Sequence, residues 1–405
     1  MTFDIDSLLG PGGLEGFLKN ALGRDAFYVK GLGLSHLMSW PALNQLLTYG
    51  GIAHPRLRLI NGDQELPSVM YSNMGSNGYP QLNVRELTGC LREGALLAID
   101  GIESLYEPIS QFCDALARSL CIPVYAELYA SWPNMRLRPP KWNDHETLLL
   151  QIDGHKTWRV FPPTTHFPTA NYSQSAPLGE PSWQGTLCSG DLLYIPRGWW
   201  YSDNAPQVPA LYLAAKFRVP RGSNLLRHVV AQAHMSEIMR MDVPVLGGIS
   251  NQGSYLTAFQ RELVNLLAQP GLMLGFLKDS LESSVPRTHF SLPWTVAAEP
   301  LPPAEDWVVF SLLRFPRAEK DRRWGIGDAI SLLHNGRKLY LSHTTMSILE
   351  RTCGPSPVTV GGLIEQSREE LSRSEVLGAL SELIRHGLVA AQEPNRTRGE
   401  SQAVY

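Results

Sequence analysis

The stretch WNDHETLLLQIDGHKTWRVF (Trp142–Phe161) decides the fold class, because it places short apolar runs on either side of a glycine-containing break. The stretch GDLLYIPRGWWYSD (Gly190–Asp203) repeats the pattern. Short apolar runs bounded by glycine, proline and asparagine are typical of β-strands. Such runs dominate between about residues 50 and 220, at Ala95–Ile99, Val124–Tyr129, Thr147–Ile152 and Leu192–Ile195. They predict a β-barrel or sandwich, with interposed helices at Asn83–Gly94 and Leu105–Ser119.

Composition excludes several classes of protein. The 405 residues are 43% apolar and 18% charged, which argues against a disordered chain. With 35 basic and 38 acidic residues, the net charge of −3 excludes a broad electrostatic footprint for nucleic acid. No apolar run is long enough to span a membrane. Five cysteines without a C-x-x-C pair predict neither a disulfide framework nor a zinc-thiolate site. We therefore expect a cytoplasmic protein without a membrane partner.

The hydrophobic periodicity changes along the chain and predicts three units. Residues 1–220 carry the strand signals after N-terminal helical elements, and residues 221–300 show helical periodicity followed by a proline-rich linker. Residues 301–391 contain an apolar run, a turn, two helices and a candidate β-hairpin, the pattern of a winged helix. Its longer helix is expected to begin at an N-cap Ser374 and to end at Gly387. Residues 392–405 form a polar tail.

Three segments in order carry a resemblance to a known family: ELYASWPN (Glu127–Asn134), Trp142–Phe161 and Gly190–Asp203. Together they resemble the JmjC-type cupin domain of the ribosomal oxygenase family. The resemblance implies an α+β fold with a JmjC/cupin double-stranded β-helix barrel, a helical dimerisation region and a C-terminal winged helix. It also implies a homodimer, and the apolar periodicity of residues 224–281 independently suggests a face that a second copy would cover.

Members of that family are iron(II)- and 2-oxoglutarate-dependent hydroxylases, and the resemblance implies where their metal ligands would lie. Two histidines and one carboxylate, in the pattern H-x-D followed by a later His, leave open positions for 2-oxoglutarate and oxygen. These positions fall on Lys141, Asn143 and Tyr201 here, so all three ligands are replaced. A lysine cation cannot ligate a metal, and a neutral amide is a poor substitute for a carboxylate. We therefore expect the protein to bind no cofactor.

One functional position of the family is retained. The basic residue that pairs with the distal carboxylate of 2-oxoglutarate falls on Lys156, which either binds an anion in the pocket or extends to solvent. Lys141 and Lys156 together would make the pocket electropositive. An alternative, shifted metal site would use Asn143, His145 and Asp203, which strand alternation would place on one face.

The leading functional hypothesis is a degenerate, iron-free oxygenase-like cupin that binds a peptide or protein. The protein would act in a peptide-modification pathway of the natural-product type, either as a binding partner or as a metal-free catalyst. In the catalytic case Lys141 and Tyr201 would act as general base and acid. The alternative is an active iron(II)- and 2-oxoglutarate-dependent peptide or protein hydroxylase with relocated ligands. A nucleic-acid partner is disfavoured because the longer helix balances Arg373 and Arg385 against Glu375 and Glu382.

Overall fold

A computed structural model gives the architecture of the chain. It describes residues 3–76, 78–169, 175–176, 179–282, 290–292, 303–312, 330–334, 337–353 and 357–393. Most of the predicted linker before residue 303, and the predicted tail beyond residue 393, lie outside these ranges. Among the described residues, no helix combines the length and the apolar character that crossing a membrane requires.

Fourteen strands of the described N-terminal region build the barrel and its extension. They are β1 (Phe27–Val29), β2 (Leu57–Asn61), β3 (Gln64–Glu65), β4 (Ser72–Met74), β5 (Pro80–Leu82), β6 (Leu96–Asp100), β7 (Val124–Ser131), β8 (Lys141–Trp142), β9 (Glu146–Asp153), β10 (His155–Phe161), β11 (Trp183–Cys188), β12 (Leu192–Ile195), β13 (Trp200–Asp203) and β14 (Ala210–Phe217). An eight-stranded sheet has the order β1-β12-β9-β14-β7-β6-β2-β3, and a four-stranded sheet has the order β11-β10-β13-β8. The four predicted strand runs are therefore confirmed, and the strands pair antiparallel.

The larger sheet separates two apolar cores. Along β9, Leu148, Leu150 and Ile152 pack outward against helices, whereas Leu149 joins the inner core with Trp158 and Tyr212. This alternation follows from the two-residue period of a strand. The outer face is covered by α1 (Ile5–Leu8), α2 (Gly13–Gly16), α3 (Trp40–Tyr49), α4 (Val84–Arg92) and α5 (Glu107–Leu120). The last two confirm the helices expected over 83–94 and 105–119.

Residues 222–282 are helical, as the periodicity predicts. The elements are α6 (Gly222–Gln232), α7 (Glu237–Arg240), α8 (Ile249–Leu267) and α9 (Leu272–Glu282). His228 Nδ1 lies 2.7 Å from a carboxylate oxygen of Asp279 and ties α6 to α9. The shared core is small, and large apolar side chains such as Leu246 and Ile249 lie 99% and 90% exposed in the single chain.

The C-terminal unit has its own core of strands and helices. Its elements are β15 (Val308–Ser311), β16 (Ile330–His334), β17 (Arg337–Leu341), α10 (His343–Thr352), β18 (Val358–Thr359), α11 (Val360–Ser367), α12 (Arg373–Arg385) and β19 (Val389–Gln392). The apolar run expected over 339–352 divides into β17 and α10. β19 pairs with β15 in the order β18-β15-β19, and a second arm of the predicted hairpin would lie outside the described residues. The winged-helix assignment stays a prediction.

The expected N-cap of the longer helix was wrong by two residues. Ser372 accepts a hydrogen bond from the Glu375 backbone N–H, while the Glu375 carboxylate accepts one from the Ser372 backbone N–H. This reciprocal capping box satisfies two backbone donors at once, so it is favoured over a start at Ser374. At the other end, Gly387 adopts φ +68°, a left-handed conformation that favours glycine, as expected for a helix terminus.

Candidate functional site

Strands β8 and β13 bring together the three positions at which the resemblance implies metal ligands. Lys141 on β8 is paired in register with Tyr201 on β13. The Asn143 side-chain amide donates a hydrogen bond to the Tyr201 hydroxyl, with Nδ2 and Oη 2.9 Å apart. The Lys141 ammonium nitrogen lies 5.3 Å from the centroid of the Tyr201 ring. We call these three side chains the mouth cluster.

The protonation states of the mouth cluster follow from burial and nearby charge. Burial, reinforced by the Arg138 cation, lowers the pKa of Lys141 to about 8. Burial raises the pKa of Tyr201 to about 12, so its phenol is neutral at ordinary pH. Within the described part of the chain, Lys141 makes neither a hydrogen bond nor an ion pair, and its contact is with the Tyr201 ring. The cluster thus presents an ammonium, an amide and a phenol.

Deeper in the barrel, Asp203 is held between two cations. The Lys156 ammonium nitrogen lies 2.6 Å from one Asp203 carboxylate oxygen. Arg138 Nη2 donates to both carboxylate oxygens, at 3.1 and 3.0 Å. Burial alone would raise the pKa of Asp203, but Lys156 and Arg138 lower it to about 2. We call these three residues the paired cluster.

Lys156 does not extend to solvent. Its side chain is fully buried, and its ammonium lies 5.7 and 5.1 Å from the ring centroids of Trp158 and Tyr212. Its nitrogen also lies 3.3 Å from the Ser131 hydroxyl. The solvent interpretation of Lys156 is therefore wrong, because the aromatic walls and the Asp203 carboxylate stabilise the charge inside the barrel.

The shifted metal site of Asn143, His145 and Asp203 does not assemble. The chain bends at residues 143–145 between β8 and β9, so strand alternation does not carry from Asn143 to His145. His145 Nδ1 faces Asp144 at 3.6 Å, and burial lowers the His145 pKa to about 4. Asp203 is already bound to two cations. Across the described ranges, no group of three or more His, Cys, Asp or Glu residues could hold a metal.

Arg138 is the member of the paired cluster that sequence reasoning missed. It lies in the segment between β7 and β8, where no periodic pattern indicates which side chains turn inward. Its side chain is 7% exposed, and its buried Nε atom has no hydrogen-bond partner among the residues that the structure describes. The inward orientation of Asp203 was predictable from strand alternation. Asp203 lies two residues after Tyr201 on β13, and both residues are buried.

Two further ion pairs lie in the inner layer of the larger sheet. Arg58 Nη2 lies 2.7 Å from an Asp100 carboxylate oxygen, and the Lys216 ammonium contacts the Glu127 carboxylate. The Tyr129 hydroxyl also donates to Glu127. Arg58 Nη1 also lies 3.4 Å from a Glu65 carboxylate oxygen, so each of these cations has at least one carboxylate partner.

An apolar cavity of about 440 Å³ lies on the other side of the larger sheet. It is bounded by helices α3 and α4, with Trp40, Leu43 and Trp132 among its lining residues. Its lining includes none of the residues of the mouth cluster or the paired cluster.

Comparison with known proteins gives the family context of this geometry. Residues 103–225 match the sequence model of the JmjC domain. "Bifunctional lysine-specific demethylase and histidyl-hydroxylase NO66" of Drosophila persimilis is 27% identical over 201 residues, which is 48% of this chain and 28% of that protein. "Ribosomal oxygenase 1" of Gallus gallus is 38% identical over 95 residues, 22% of this chain and 16% of that protein. The matches therefore span less than a third of these relatives' lengths.

Solved structures show the same fold over nearly the whole chain. The X-ray structure of Escherichia coli YcfD has a TM-score of 0.55 at 18% identity and covers 93% of this chain and 98% of that one. YcfD in complex with cobalt and 2-oxoglutarate has a TM-score of 0.54 at 16% identity, with the same coverage. The JmjC/cupin architecture expected from the sequence is confirmed by this likeness.

Proposed function

We propose that this chain binds a peptide or protein and has lost iron-dependent activity. It carries a JmjC domain homologous to those of the NO66 and ribosomal oxygenase proteins. The observation that carries the proposal is the mouth cluster. At the positions where the resemblance implies two histidines and an aspartate, Lys141, Asn143 and Tyr201 contact one another instead.

This donor set does not fit iron(II). The Lys141 ammonium repels a divalent cation, and at a pKa of about 8 it is mostly protonated near neutral pH. The Asn143 amide is engaged with Tyr201, whose phenol keeps its proton. A facial site needs two imidazoles and a carboxylate, and none of these groups stands at the three positions.

The arrangement does not fit 2-oxoglutarate either. The retained basic residue, Lys156, has its charge satisfied by Asp203 at 2.6 Å. An incoming dicarboxylate would have to displace an internal carboxylate that Arg138 also holds. Charge-assisted hydrogen bonds of this kind are among the strongest in proteins, so the exchange is unfavourable.

A peptide or protein ligand is supported by the class of the relatives. Their names refer to lysine demethylation, histidyl hydroxylation and ribosomal oxygenation, and the first two terms name amino-acid residues as targets. The net charge of −3 disfavours nucleic acid as the alternative polymer. A role beside peptide-modifying enzymes is consistent with a barrel that retains its fold without the metal ligands. If the site is catalytic, Lys141 is its base and Tyr201 its acid.

The helical region between residues 222 and 282 supports the proposal of a homodimer. Leu246, Ile249 and Val264 are large apolar side chains that the single chain leaves 99%, 90% and 63% exposed. Covering such a surface with a second copy removes it from water. Light scattering should report about 90 kDa, twice the chain mass of 45.0 kDa. Leu246→Glu with Ile249→Glu should shift the mass toward the monomer, whereas Val69→Glu should not, and a monomeric wild type would refute the proposal.

The central proposal is tested by metal content, turnover and binding on the same preparation. Purified protein should contain far less than one equivalent of iron, and iron(II), ascorbate and 2-oxoglutarate together should yield no succinate. A displayed peptide library should nonetheless yield ligands that bind the intact chain. Stoichiometric iron with 2-oxoglutarate turnover would establish the alternative, an active hydroxylase with relocated ligands. The absence of any peptide ligand would remove the binding role.

A further inference from the structure

Positive charge exceeds negative charge within the mouth and paired clusters of the barrel. Elsewhere in the inner layer, Arg58 contacts the carboxylates of Asp100 and Glu65, and Lys216 contacts that of Glu127. The remaining cations, which belong to the mouth and paired clusters, are Lys141, Arg138 and Lys156. The single carboxylate recorded among them is that of Asp203. Within these two clusters of described residues, three cations therefore face one carboxylate.

Among the described residues, three donor groups at the mouth have no recorded acceptor, and the Asn143 side-chain oxygen is a free acceptor beside them. The Lys141 ammonium has no hydrogen-bond or ion-pair partner in the described ranges. The Arg138 Nε–H group is buried without an acceptor. The Tyr201 hydroxyl accepts from Asn143, and its own proton has no acceptor recorded among the described residues. An ammonium, a guanidinium N–H and a phenol O–H together are complementary to an oxyanion.

From this arrangement we infer that the mouth cluster and Arg138 form an anion site, and that its occupant is a carboxylate of the bound peptide. The inference rests on the proposed function and specifies its ligand: an Asp or Glu side chain, or a C-terminal carboxylate. Where the resemblance implies a cation, this chain would bind the opposite charge.

The free-energy cost of a buried, unpaired charge explains why the carboxylate would come from a ligand. Buried charges are expensive unless they are paired, and the carboxylate oxygens of Asp203 are already engaged by Arg138 and Lys156. Lys141 is half-buried, whereas the Lys156 side chain is fully buried, so an entering ligand meets Lys141 first. A single carboxylate can accept from both the ammonium and the phenol, and it offsets one of the two surplus charges.

The first test uses acetate and succinate as probes on the full chain. Trinitrobenzenesulfonate modifies free amines, and mass spectrometry gives its rate at Lys141 and at the exposed Lys19 of the same molecule. Acetate should slow modification of Lys141 about tenfold at saturation while leaving Lys19 unchanged, with chloride at equal ionic strength as the control. Equal protection by chloride, or no protection by acetate, would overturn the anion site.

The second test uses peptide ligands selected on the intact protein. Replacing each Asp or Glu by its amide, or amidating the C-terminus, should identify one carboxylate whose removal weakens binding about thirtyfold. Lys141→Met should cause the same loss and should not add to it, while Lys19→Met should have no effect. Additivity would contradict a direct contact, as expected for independent sites.

The outcomes separate this inference from the proposed function. Peptides that bind equally well to wild type and to Lys141→Met, with or without their carboxylates, would overturn the anion site but leave peptide binding intact. Protection of Lys141 by acetate or succinate, without any peptide ligand, would support the anion site. This result would also show that the site binds a free small carboxylate, and it would refute the peptide as the source of the carboxylate.

Discussion

The paired cluster and the mouth cluster of the barrel differ in how their buried cations are neutralised. In the paired cluster, Asp203 provides a carboxylate within hydrogen-bonding distance of both Arg138 and Lys156, and all three side chains are at most 7% exposed. In the mouth cluster, Lys141 is half-buried over the ring of Tyr201, and no carboxylate of the described residues pairs with it. The deep cluster thus contains its own carboxylate, whereas we propose that the charge at the mouth is matched by a carboxylate from a ligand.

Replacing Asp203 should have the largest effect on the free energy of unfolding, because Asp203 is the carboxylate that holds the paired cluster together. Asp203→Ala leaves two buried cations without a counter-charge, which typically costs about 3–5 kcal/mol. Denaturant unfolding should show this loss in the free energy of unfolding, while the exposed Asp63→Ala stays within about 0.5 kcal/mol of wild type. A loss below about 1 kcal/mol would mean that the paired cluster is not a stabilising unit.

The pH dependence of stability sharpens the same point. The pKa of Asp203 is lowered from its ordinary 3.8 to about 2 in the folded protein, so the unfolded chain binds this proton more readily. Its contribution is fully present above that ordinary value and is lost as the pH falls toward 2. Asp203→Asn should therefore lose less stability than wild type across this acid range. Parallel curves for the two proteins would contradict the assignment.

Replacing Lys141 should have a smaller effect of opposite sign. Lys141→Met removes an unpaired charge from a partly apolar site, and we expect the unfolding free energy at neutral pH to rise by about 1 kcal/mol. The folded pKa of about 8 lies below the ordinary 10.5, so wild type gains stability as the pH rises between these values. The advantage of the variant should therefore shrink over that range. A loss of stability at neutral pH would show that Lys141 serves the fold.

An effect of similar size but opposite sign should come from the phenol of the mouth cluster. Tyr201→Phe leaves the Asn143 amide without its acceptor and should cost about 1 kcal/mol in the free energy of unfolding. Tyr125 is 60% exposed, so Tyr125→Phe is the matched control and should be neutral. If the two substitutions have equal effects, the contact between Asn143 and Tyr201 contributes nothing measurable.

Periodicity predicted the strands well because one face of each is packed on a core. Residues 147–152 are apolar except for Thr147 and Gln151, residues 192–195 are apolar throughout, and both runs are buried in the sheet. The helix cap was missed by two residues, although Ser372 precedes Glu375 at the spacing of a capping box and Ser374 has no such partner at that spacing. Local patterns therefore predict the existence of elements better than their ends.

The positions of the mouth cluster were implied by the family resemblance, and strand alternation failed where it was extended beyond β8. Lys141 and Tyr201 do face one another across β8 and β13, whereas His145 lies beyond a bend that no pattern in the sequence indicates. Arg138 enters the barrel from a connecting segment, and its contact with Asp203 spans 65 positions. Such a pairing depends on tertiary structure, so the ion pairs of the barrel could not be predicted from sequence.

The central claim, that iron binding was lost through positions 141, 143 and 201, is tested most directly by titrating manganese(II) into two folded proteins. One is wild type, and the other combines Lys141→His, Asn143→Asp and Tyr201→His. Because the barrel frame is intact, the triple variant should bind the metal at least tenfold more tightly than wild type, roughly 1.4 kcal/mol, with each single change insufficient. Stoichiometric binding by wild type, or no tighter binding by the triple variant, would contradict the account.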